Sequence, residues 1–299
     1  MQTTILTALW GIDRTAVAMC VAGIVVFFVA LWAARIDVAQ ARGLDKFVAL
    51  NNLCFAVPLA VFGALHVVAV DFVAPGVPAY MPWRLFWAYF VGVALLAGSL
   101  SIATKIQVRW SGLLLGFMWF LFVAMLDIPG ALATPKDRFG WTLAIRESCF
   151  AGGAWAFAGS AMRGRGGSRL ITVGRVLIGI AALFYGFEHF LHPLARPGVP
   201  LLKLMPEWIS GRLLIGYVTG AILVVAGAGM LLNKKARMAA TYLGSWIVLL
   251  VVFIYGPILI ASLRDPSVAI QIEGINYFAD TLLFGGAILA LASATPRTD

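Results

Sequence analysis

Charge is scarce in this sequence. Only 12% of its 299 residues are Asp, Glu, Lys or Arg, while 62% are hydrophobic. A soluble globular domain carries about 25% charged residues, so a water-soluble fold is excluded at the outset. Cysteine and histidine are scarce too, at three residues each. Cys20, Cys54 and Cys149 stand alone in or beside apolar stretches with no C-x-x-C pair. That argues against thiol–disulfide chemistry and for small buried packing residues. There is no H-x-x-x-H and no Cys/His cluster, and His192-Pro193 turns the chain away from His189, so a zinc site has little support. Walker loops, a nucleotide-binding G-x-G-x-x-G and a G-x-S-x-G elbow are all missing, which removes the common soluble-enzyme chemistries. The net charge is +9, but the Lys and Arg residues sit in short loops between apolar runs. They read as topology signals, and no nucleic acid is expected as a partner.

What the sequence does have is apolar runs of roughly 20 residues, the bilayer-spanning length. Nine are read, with bounds near Ala16–Ala34, Ala49–Val70, Leu85–Thr104, Ser111–Leu126, Trp141–Met162, Ile171–Leu191, Arg212–Leu232, Met238–Leu263 and Asn276–Ser293. The first is read as a retained anchor, because Asp13 offsets Arg14 and no small-x-small cleavage site follows it. Thirteen Lys and Arg residues, from Arg35 to Arg297, fall on the side that holds the first loop, against eight on the other side. The positive-inside rule then puts the N-terminus outside and the C-terminus in the cytoplasm.

The chain also repeats itself. FGALHVVAVDFVAPGVPAYMPW, from Phe62 to Trp83, matches YGFEHFLHPLARPGVPLLKLMPEW, from Tyr185 to Trp208. His66 stands where His189 stands, Pro75–Pro78 where Pro197–Pro200 stand, and Met81-Pro82 where Met205-Pro206 stand. Further pairs follow in register: Tyr89–Gly92 with Tyr217–Gly220, Pro129 with Pro257, and Gly152-Gly153 with Gly285-Gly286. An even number of spans per copy makes the copies parallel. The expected fold is an all-α integral membrane protein with nine transmembrane helices, one N-terminal anchor plus two parallel four-helix repeats. The expected division is residues 1–48 for the anchor helix and a cytoplasmic loop, 49–163 for the first repeat, 164–170 for a basic Gly-rich linker, and 171–299 for the second repeat.

Ionisable residues inside spans are costly and mark a partner or a wet cavity. His66, Arg146, Glu147, Glu188, His189 and Asp280 all fall in the outer part of the membrane, and the inner half is almost free of charge except at loop edges. Arg146 and Glu147 are adjacent, so they point about 100° apart on a helix. Arg146 is therefore expected to meet Glu188 or Asp280 on a neighbouring helix. One shared outer-leaflet pocket is expected to hold a quinone. Glu188 and His189 would handle protons as the catalytic pair, and His66, Arg146, Glu147 and Asp280 would form the cofactor-binding wall. Bis-imidazole haem b on His66 and His189 is the weaker alternative, because no propionate partners are visible. A permease for a small solute, or a scaffold docking an exported protein on the PGVP loops, are the other readings.

The residues Gly186-Phe187-Glu188-His189-Phe190, His192-Pro193, Pro197–Pro200 and Met205–Trp208, with their first-half copies, resemble the DoxX-like family of bacterial integral membrane proteins. The resemblance runs from about Leu50 to Ala292 and leaves the first span out. Members are typically single four-helix units, so the resemblance implies two fused units in the bacterial cytoplasmic membrane. Some relatives are subunits of thiosulfate:quinone oxidoreductases and others partner redox or detoxification enzymes, which implies a membrane redox role and a redox or exported protein partner. The first copy departs from the pattern at Leu65, which replaces the carboxylate of Glu188.

Overall fold

The computed structural model describes residues 11–296, and among them there are helices and one isolated bridge between Ala195 and Leu204, but no strand. Arg297 of the topology count lies outside the described residues. The long helices in chain order are α1 (Arg14–Gln40), α2 (Asn51–Val68), α3 (Arg84–Thr104), α4 (Val108–Ala133), α5 (Arg138–Ser160), α6 (Arg165–Leu191), α7 (Arg212–Leu231), α8 (Ala236–Leu263) and α9 (Val268–Ala294). All but α5 are long and apolar enough to cross a membrane, which makes eight such helices among the described residues. At 1.5 Å per residue, even the 18 residues of α2 reach about 27 Å, close to the thickness of a hydrocarbon core. α5 has 23 residues but carries Arg138, Arg146 and Glu147, and these charges set it apart from the other eight.

Each long helix packs on the next along the chain, and α9 turns back to pack on both α2 and α5. α2 and α9 are the core: 78% and 83% of their apolar windows are buried, against 28–39% in the other six helices of that class. The outer helices turn large apolar side chains outward, among them Val225, Phe253, Trp32 and Leu114. Water would not tolerate so wide an apolar exterior on a monomer; lipid tails would. Because lipid removes the usual hydrophobic force between helices, close approach depends on small residues. A Cβ at Gly153 would sit 2.5 Å from Ala287 Cβ, and one at Gly286 would sit 2.7 Å from the backbone of Cys54. So α5 meets α9, and α9 meets α2, almost backbone to backbone.

Two helices run further than the apolar pattern suggests or bend in the same way. The expected fourth span ends at Leu126, but α4 continues to Ala133 through a π turn at Val123–Asp127. α8 holds the same turn at Val251–Tyr255. Pro129 and Pro257 follow these turns by two residues. Proline has no N–H and its ring crowds the carbonyl four residues back, and widening the preceding turn relieves that clash without ending the helix. The short α3–α4 and α7–α8 connections share a conformation as well. Lys105 and Gln107 in one, and Asn233 and Lys235 in the other, have φ between 52° and 61°.

Candidate functional site

A cavity of about 620 Å³ lies at the end of the bundle that carries the two PGVP loops. Its polar lining is His66 from α2, Arg146 and Glu147 from α5, Glu273, Asn276 and Asp280 from α9, and Lys203 from the segment after the second PGVP loop. Aromatic side chains, including Phe62, Trp119, Phe122, Phe150 and Tyr277, make up much of the wall. The volume falls in the usual range for small-molecule sites, which are mostly apolar with a few placed polar groups.

The register of α5 against α9 explains why the charges meet. Arg146 and Asp280 each lie seven residues before the contact between Gly153 and Ala287. Seven residues are two helical turns, so each charge shares a face with its contact residue. The close crossing therefore puts guanidinium and carboxylate opposite one another. Arg146 Nη1 donates to Asp280 Oδ2 at 3.1 Å and Nη2 donates to Glu147 Oε1 at 3.3 Å. The adjacent pair does meet, because the long arginine arm spans the 100° between the two side chains. Glu147 also meets the Asp127 carboxyl, a pairing that needs a shared proton. Two buried atoms here have no hydrogen-bond partner, Arg146 Nε and Asn276 Oδ1. Buried polar atoms are nearly always satisfied, so these two are what a polar ligand would complete.

Glu188 and His189 do not line this cavity, which corrects the expectation of one pocket for all six residues. Glu188 Oε2 accepts from Arg138 Nη1 at 2.9 Å, with His192 Nε2 at 3.9 Å. The same guanidinium donates to the carbonyls of Pro200 and Leu201 at 2.7 and 2.6 Å. Arg138 thus ties the start of α5, the end of α6 and the second PGVP loop together. Sequence reading missed it, because it follows Lys136-Asp137 and looks like one more loop charge. His189 is fully buried. Its Nδ1 lies 2.6 Å from the Tyr185 carbonyl, so Nδ1 carries the proton and Nε2 accepts from the Gly198 N–H at 3.1 Å. Both ring nitrogens are occupied by backbone, which corrects the proton-handling role read for this residue from the sequence.

The two PGVP loops differ as a result. Ala195–Leu201 is buried throughout, held by His189, by Arg138 and by Tyr255, whose hydroxyl donates to the Pro197 carbonyl at 2.8 Å. Gly198 has φ +104°, a conformation that only glycine adopts freely. Its first-half counterpart Gly76 lies in a 3₁₀ turn with open space around it, and Trp83 is 79% exposed. Along the mouth of the cavity, Lys203 pairs with Glu273 at 3.0 Å and Arg196 sits 4.3 Å above the Tyr277 ring. Compared with known proteins, the chain finds no matching family model, no matching curated protein and no matching solved structure.

Proposed function

We propose that this chain is the membrane component of a redox system and that the 620 Å³ cavity takes the head group of a quinone. The observation that carries the reading is the convergence of His66, Arg146, Glu147 and Asp280, from three helices, on one aromatic-walled void. A quinone ring packs on aromatic faces, its oxygens need donors and acceptors, and its tail needs an apolar exit. In this reading α5 is the ninth span. Its charges are tolerated because Arg146 is neutralised by Asp280 and Glu147, and an intramembrane charge costs far less when paired. The π turns before Pro129 and Pro257, the matched left-handed turns and the matched histidines support two DoxX-like four-helix repeats behind the anchor α1. The Lys/Arg count supports the bacterial cytoplasmic membrane with the cavity facing outward.

The test is the optical spectrum and extracted quinone content of protein purified from its own membrane. About one quinone per chain and no Soret band are expected. Absence of quinone in preparations that remain folded would remove the reading, and a Soret band would replace it with haem.

A second reading, a permease for a small solute, is favoured by one feature. A second cavity of about 880 Å³ lies at the opposite ends of helices that also line the first. Asn52, Lys105 and Arg237 line it, so this end carries polar groups as well, the two charges standing at the loop edges where the sequence puts them. Between the two cavities stands Phe55, fully buried, edge-on to Trp119 of one cavity at 5.9 Å and to Phe157 of the other at 5.1 Å. If this is a transport path, Phe55→Ala opens a solute leak in proteoliposomes. Vesicles that stay as tight as those with the parent protein would end this second reading.

A further inference from the structure

We infer that His66 selects the reduced, hydroxyl-bearing form of the ligand, so that the cavity binds a hydroquinone in preference to its quinone. The inference rests on the quinone reading above and names which form the site is built for.

The argument begins with the tautomer. His66 Nδ1 lies 2.8 Å from the Phe62 carbonyl, one helical turn back. A carbonyl oxygen only accepts, so Nδ1 carries the proton and the neutral ring is left with its lone pair on Nε2. That nitrogen has no hydrogen-bond partner among the described residues, and the residue lines the cavity. An acceptor facing a void asks for a donor. A hydroquinone hydroxyl supplies one, whereas a quinone carbonyl sets lone pair against lone pair.

The second half of the chain shows the same arrangement with its donor in place. His189 has the same bond to the carbonyl four residues earlier, and its Nε2 accepts an N–H, that of Gly198. The backbone beside the two histidines is matched too. An added Cβ at Gly92 would meet His66 Cβ at 2.8 Å and one at Gly220 would meet His189 Cβ at 3.0 Å, so each ring is held against a glycine of the next helix. In the second half the donor comes from the protein's own loop, which is buried against the histidine. In the first half the corresponding loop lies outside, and the position of the donor belongs to the cavity. Elsewhere on the lining the unpartnered Arg146 Nε is a donor, suited to an oxygen lone pair of the same ligand.

The experiment measures equilibrium binding of duroquinol and duroquinone to the purified full chain in detergent, read by quenching of Trp119 fluorescence. Trp119→Phe serves as the control for quenching elsewhere, and the duroquinol series is run anaerobically with excess reductant. Loss of one buried hydrogen bond is on the order of a tenfold change in affinity. The parent chain is expected to bind duroquinol at least about tenfold more tightly, with His66→Phe bringing the ratio to about one and His66→Gln, which retains an acceptor, recovering part of it. Because the readout is a ratio within each variant, partial loss of folded protein does not alter it. Equal affinity for both forms in the parent chain, or a preference that survives His66→Phe, overturns the inference and leaves the quinone reading standing. Failure to bind either form removes both.

Discussion

Arg146 belongs both to the contact between α5 and α9 and to the lining of the cavity. Its guanidinium sits between Asp280 and Glu147, with side chains only 8–18% exposed across the trio. Taking one partner out of a buried pair is far more damaging than replacing the whole pair, and typically costs about 3–5 kcal/mol. Arg146→Met is therefore expected to lower stability in detergent by roughly that amount. Arg146→Met combined with Asp280→Leu is expected to recover much of the loss. Equal melting temperatures for parent and single variant would show that the cluster does not hold α5 to α9. The two histidines offer a second contrast. His189→Ala strips the Gly198 N–H of its acceptor and is expected to cost about 1–3 kcal/mol, with faster proteolysis in the Ala195–Leu204 loop. His66→Ala leaves no backbone group of its own loop unpaired, so it is expected to cost clearly less in the absence of ligand. Similar losses for both would contradict the difference between the halves.

At the scale of the helix, the crossing of α9 over α2 depends on Gly286. A side chain there would run into the backbone of Cys54 and Phe55, which cannot move aside as a flexible side chain would. Gly286→Val is expected to prevent accumulation of folded protein, seen as loss of a monodisperse peak in size-exclusion chromatography. Gly130→Val, which meets open space, is the matched control. Normal behaviour of Gly286→Val would mean that α2 and α9 are not in contact as described. Eight of the nine expected spans were legible in the sequence as helices long and apolar enough to cross, because a bilayer demands about 20 apolar residues whatever the tertiary structure. The continuation of α4 past Asp127 was not, since Ile128-Pro129 reads as a stop and only the π turn lets the helix pass it. Helix geometry narrowed the partner of Arg146 to Glu188 or Asp280, and the structure pairs it with Asp280 and with the adjacent Glu147. The engagement of Glu188 by Arg138 depends on how a loop of a different helix folds, and a local pattern carries no trace of that. The same holds for His189, whose Nε2 is taken by a residue nine positions later in an irregular segment.

For the whole molecule, one sequence motif written twice ends in two different states. In the second half the loop is folded in and bonded; in the first it stands off, and a cavity remains beside its histidine. In the repeat reading proposed above, such a difference leaves one histidine filled by its own loop and the other with room for a ligand. The most direct measurement of that claim is photolabelling of the membrane-embedded chain with an azidoquinone, followed by peptide mapping. Label is expected on the α4, α5 and α9 segments around Trp119, Arg146 and Tyr277, and excess unlabelled hydroquinone is expected to suppress it. Label spread over lipid-facing positions such as Val225 and Phe253, with no suppression, would contradict the account.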